Sequence, residues 1–219
     1  MGAILYPLFA ISGLLSAVSC RPAKTAAQQL QSQQPYLNGL PSNSGMTLKY
    51  VALGVGTQNY TCNGASWVQT DSGDGANATL YDATSYLAQH TSEISILPAK
   101  RLLEFVLSGE CQQAADNNPY LDVLGKHYFD SENRPTFNLY DANPPLFLSA
   151  AKVDSATAPY PSVNVAWLYL VDNGDGLSNG LKAVYRVETA GGAAPTSCSS
   201  SEENQQTFIP YAAEYWFYD

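Results

Sequence analysis

The sequence has 219 residues, 45% of them hydrophobic and 13% charged, with a formal net charge of -9 and a pI near 4.5. A chain of this length can bury one sizeable core without depending on cross-links. Its ten Lys and Arg are thinly spread, so no basic stripe exists to neutralise phosphates or dock on anionic lipid, which excludes nucleic acid and a charged membrane surface as partners.

Residues 1–19, MGAILYPLFAISGLLSAVS, carry no charge and hold an apolar run from Ala3 to Val18. They read as a secretory signal peptide, with small residues at Ala17 and Ser19 and cleavage before Cys20. The expected mature protein is secreted, extracellular or in the cell wall, with no membrane segment left after the signal is removed. Residues 20–45 are rich in Ala, Gln, Ser and Pro and predict a flexible lead-in with at most a helical turn. The ordered domain is expected over 46–219.

From Met46, LKYVALGVGTQNYTC predicts a long strand with a bulge or kink at Gly54 and Gly56, and SWVQT a short partner strand. Asp82 is placed to cap a short helix through ATSYLAQH. Pro98 to Ser108 sets Leu102, Phe105 and Val106 at helical spacing. Strands then follow in GKHYF, TFNLY and LFLSAAKV. VNVAWLYLV, nearly continuously apolar, predicts a strand buried on both faces. DNGDGLSNG predicts a turn, AVYRVETA a strand broken by Gly191 and Gly192, and FIPYAAEYWFY the final strand. Fifteen Tyr and many short strands without βαβ alternation predict a mainly β single domain, an antiparallel β-sandwich or barrel with one or two short helices.

Two glycan acceptor triplets start at Asn59 and Asn77, which suits an exported eukaryotic chain. The cysteines, Cys20, Cys62, Cys111 and Cys198, form no C-x-x-C pair, so disulfides are expected rather than zinc or redox chemistry.

No catalytic constellation is specified. Gly54-Val55-Gly56 lacks the third glycine and the following helix of a dinucleotide site. The stretch from Asp172 to Gly176 lacks the ligand pattern of a calcium loop. The two histidines, His90 and His127, lie in no metal motif, so neither cofactor nor metal is expected. Aromatic residues cluster beside charged ones at His127-Tyr128, Trp167 to Tyr169, Tyr185 to Glu188 and Glu214 to Tyr218. Alternation sends Tyr185 and Val187 to one face and Arg186 and Glu188 to the other. The candidate ligand-binding residues are therefore His127, Tyr128, Trp167, Tyr169, Arg186, Glu188, Glu214 and Trp216, in a cleft where rings stack on sugar faces and polar groups fix hydroxyls.

The segments GVGTQNYTC (54–62), GKHYF (125–129), VAWLYL (165–170), YRVETAGGAAPTSC (185–198) and PYAAEYWFY (210–218) resemble the secreted domain of unknown function 3455 family. The resemblance implies a disulfide between Cys62 and Cys198, leaving Cys20 and Cys111 to pair with each other if at all. The insertion around 89–112 is similar to that of fungal members, which implies fungal origin. Such members are often labelled malate dehydrogenase-like, a label to which the incomplete fingerprint and the export signal lend no support. The resemblance implies no established activity. The expected function is a secreted non-catalytic binding or interaction protein, with cell-wall carbohydrate as a candidate ligand. Two alternatives stand beside it: an extracellular hydrolase or isomerase using His127 with a carboxylate, and a structural or host-facing factor without a small ligand.

Overall fold

The computed structural model describes residues 23–70, 75–107 and 121–219. The signal peptide, Cys20 and Cys111 lie outside the described residues.

Among the described residues nine strands, all paired antiparallel, run β1 Leu48–Asn63, β2 Ser66–Gln69, β3 Ala76–Asp82, β4 Val123–Phe129, β5 Pro135–Leu139, β6 Leu146–Ala156, β7 Trp167–Asp172, β8 Ala183–Gly191 and β9 Gln206–Tyr218. β1 pairs with β3, each later strand with the next, and β9 returns to β1 over the register Leu48↔Tyr218 to Thr61↔Gln206. Eight strands thus close into a barrel, and β2 is an extra strand folded back on the end of β1. Of the two all-β architectures expected, the barrel is the one formed.

Closure sorts the alternating side chains into two cores. Leu80, Leu124, Phe137, Leu139, Leu148, Val184, Tyr215 and Phe217 fill the barrel interior. On the outside, Val51, Leu53, Tyr185, Val187 and Trp216 pack beneath helical segments through Leu30, Leu87, Leu97 and Phe105. Each fully buried large apolar side chain contributes roughly 1.5–3 kcal/mol.

The helices are α1 Ala26–Leu30, α2 Thr84–Gln89 and α3 Leu97–Leu107. α1 begins at a capping box in which Thr25 Oγ1 accepts from the Gln28 amide and Gln28 Oε1 accepts from the Thr25 amide. The start of α2 is held by Asp82, whose Oδ1 accepts from the Thr84 amide at 2.8 Å. In α3 the expected apolar face is met by Phe105, but Val106 is 54% exposed and falls on the solvent side.

Four expectations need correction. The lead-in is anchored to the barrel at several points: Leu30 is fully buried, the Gln31 side chain accepts from the Leu48 amide at 2.6 Å, and the Tyr185 hydroxyl donates to the Pro41 carbonyl. No bulge occurs at Gly54 or Gly56, since β1 holds register with β3 and β9 through both. The glycines serve space instead. A Cβ at Gly54 would collide with the Tyr215 ring, and one at Gly56 with the Asn77 carbonyl. The run 163–171 is strand only from Trp167, and its burial is incomplete: Leu168 is half-buried where it lines the open end of the barrel, and Tyr169 and Val171 are half-buried on the outer face. Lastly, Glu188 does not share a face with Arg186. β8 slips register against β9 between Val187 and Ala190, and Glu188 at φ 49° turns outward at that bulge.

Candidate functional site in the barrel mouth

An eight-stranded barrel is just wide enough for its side chains to fill it or to hold one small ligand. Here the end from which β1, β4 and β6 emerge is not filled, and a cavity of about 410 Å³ opens there. Tyr215 forms its floor, with its ring over Gly54 and its hydroxyl 2.9 Å from that of Tyr211.

Arg186 enters from β8, opposite Tyr215 in the ladder, and is 6% exposed. Its Nη2 donates to the Ala166 carbonyl at 2.8 Å, while its Nε is buried without a hydrogen-bond partner. It forms no ion pair among the described residues.

His127 comes from β4 and is almost fully buried. Its ring stacks on Phe137 with centroids 4.3 Å apart, and its Nδ1 lies 3.0 Å from the Thr136 carbonyl. A carbonyl only accepts, so Nδ1 carries the proton and Nε2 is the acceptor nitrogen of the neutral ring. Burial holds the imidazole well below its usual range, at about 4. The Thr136 carbonyl offsets this in part, and the Arg186 cation adds to it.

Gln58, Tyr60 and Gln69 line the side near β1 and β2, and Lys152 and Ser155 the side near β6. Lys152 faces the interior because it pairs with Leu170, a residue of the inner core. Phe129, Pro135, Val165 and Leu168 supply apolar wall.

Of the eight candidates read from sequence, the structure brings His127 and Arg186 together in this cavity. Tyr128 follows His127 and points to the other side of the sheet. Trp167 and Trp216 belong to the outer core and Tyr169 packs against it, so none is available for stacking on a ligand in the mouth.

Glu188 and Glu214 meet elsewhere, on the outer face. The Ser95 amide donates to Glu214 Oε1 at 3.2 Å, and Trp216 Nε1 donates to Oε2 at 2.9 Å. Burial pushes the Glu214 carboxyl up to about 7, the Trp216 and Ser95 hydrogen bonds lower it, and the Glu188 charge raises it. Glu188 is itself raised by burial, with the Ser95 side chain opposing. Lys152, Tyr215, Tyr60 and Gln58 were not legible as site residues. Tyr215 stands next to two chosen residues, but alternation alone does not say which face is concave.

A family model describing a protein of unknown function, DUF3455, matches residues 41–219, which span all nine strands. The chain belongs to the DUF3455 family. No curated protein and no solved structure matches it.

In this DUF3455 chain Cys62 and Cys198 form a disulfide, Cα atoms 6.0 Å apart, tying the end of β1 to the loop before β9. Asn77 is exposed, whereas Asn59 is 6% exposed. Among the described residues no helix is long and apolar enough to cross a membrane. Nor, among the same described residues, is any group of three or more His, Cys, Asp or Glu placed to hold a metal ion.

Proposed function

We propose that this DUF3455 protein is an exported binding protein that takes one small organic molecule into the barrel mouth. The observation that carries this reading is the cavity itself: an open pocket of ligand size, apolar on its walls, converging on the buried polar groups Arg186, His127 and Tyr215. At about 410 Å³ the cavity has room for one compact molecule, and Trp167, Tyr169 and Trp216 lie in or against the outer core, away from it. The ligand is therefore a single small unit, such as one sugar or a compact organic acid, rather than a polysaccharide laid along the surface. Export is supported by the disulfide and by the exposed acceptor Asn77.

Native mass spectrometry of the protein after incubation with cell-wall hydrolysate and culture filtrate tests this reading. The expected result is a bound species that Leu168→Trp, which fills the cavity, abolishes. An intact fold that retains nothing would remove the proposal.

A catalytic use of the same cavity rests on His127, whose Nε2 is an acceptor at neutral pH. No carboxylate among the described residues lines the cavity to assist it. A turnover detected with wall-derived substrates and lost in His127→Ala would favour that second reading.

A further inference from the structure

The chain carries a net charge of -9, yet the described residues lining the barrel mouth include Arg186 and Lys152 and neither Asp nor Glu. This local reversal of sign coincides with an unusual guanidinium. Arg186 is more than nine-tenths buried, and burying an unpaired charge is costly enough that proteins normally supply a counter-ion. Here the neighbours are neutral: Tyr215, opposite it in the ladder, Tyr60, and the imidazole of His127. One Nη is used on the Ala166 carbonyl, while Nε has no acceptor. A guanidinium that lines a cavity and has no counter-ion holds a carboxylate through charge-assisted hydrogen bonds.

Lys152 stands at the cavity's more exposed side, where a second positive charge draws an anion inward. The remaining wall is apolar: Phe129, Val165, Leu168 and Leu170. Inorganic phosphate or sulfate would leave that wall unused, whereas an organic acid uses both halves.

We propose that the barrel mouth binds a small organic carboxylate, its carboxylate seated on Arg186 and its body against Phe129, Val165, Leu168 and Leu170. This rests on the reading of the cavity as a ligand site and names the class of ligand it takes.

The test is calorimetric titration of the full chain with matched acid and neutral pairs on three bodies: galacturonate and galactose, 3-phenylpropionate and 3-phenylpropanol, octanoate and octanol. The body that binds distinguishes a sugar acid from an aromatic or an alkyl one. Within that pair the acid is expected to bind about ten- to a hundredfold more tightly than its neutral partner, as charge-assisted hydrogen bonds allow. Arg186→Met should erase the difference. Should that variant misfold, Lys152→Met, at an exposed position, should still reduce acid binding several-fold and leave the neutral partner unchanged. Binding of the carboxylate should also move the His127 titration upward in NMR, since a negative charge nearby favours imidazolium. Equal binding of acid and neutral partner would overturn the carboxylate assignment and leave the barrel-mouth reading standing. No binding by any of the six, with the fold intact, would overturn both.

Discussion

The ring of Tyr215 occupies the volume that a side chain at residue 54 would need, so the cavity floor and the glycine of β1 specify each other across the seam of the barrel. Gly54→Ala forces the ring aside or separates the strands. The expected cost is about 1–3 kcal/mol, typical of overpacking in a tight core. Urea denaturation with near-UV circular dichroism checks it, and an unchanged midpoint would show that the floor has slack.

Glu214 makes stability fall with rising pH. Its folded pKa of about 7 lies above the ordinary value of 4.5, so the folded state holds a proton that the unfolded chain releases. Its contribution is fully present below pH 4.5 and is lost between 4.5 and 7, by up to about 3 kcal/mol. His127 acts in the opposite sense. Its folded pKa of about 4 is below 6.5, so the unfolded chain gains a proton first and stability is lost as pH falls from 6.5 to 4, again by up to about 3 kcal/mol. The two slopes oppose each other between pH 4.5 and 6.5. In denaturant titrations across that range, Glu214→Gln should leave stability rising with pH and His127→Phe should leave it falling. Parallel profiles for both variants would contradict the assignments.

The Cys62–Cys198 disulfide spans 136 residues of sequence, and a loop of that size is worth about 5 kcal/mol when closed, in a chain-entropy treatment. The Cys62→Ser/Cys198→Ser double variant should therefore unfold at much lower urea concentration. An undiminished midpoint would place the stabilisation elsewhere.

Passed through a eukaryotic secretory pathway, the protein should carry a glycan on Asn77 alone. Asn77 is exposed on β3, while Asn59 is buried with an unpartnered Oδ1. Intact mass after Asn77→Gln should match the unglycosylated polypeptide, and Asn59→Gln should leave the glycan in place.

Strand positions were legible because alternation and turn residues are local properties. β8 and β9 could be placed from Tyr185, Val187, Tyr215 and Phe217 without knowing their neighbours. What was not legible depends on closure. Trp167, Tyr169 and Trp216 read as exposed binding aromatics only until α3 and the segment around Ser95 cover that face. Glu188 follows the period-two rule until a single bulge reverses it. The burial of Leu30 in a Gln-rich segment has no signal in composition, since one apolar residue suffices when the barrel wall supplies the partners. Arg186 was found because aromatic residues cluster beside charged ones from Tyr185 to Glu188. That its face was the concave one came only from the fold.

The seam between the first and last barrel strands also dictates when this molecule can come into being. β1 hydrogen-bonds to β9 along thirteen paired positions, so no partial chain lacking residues 206–218 can close the ring. Until those residues emerge, β1 and β8 offer unpaired edges to any neighbouring strand, the situation in which chains associate wrongly. Completion of the barrel thus waits for the last strand, and the interval before it is when a chaperone would have its grip.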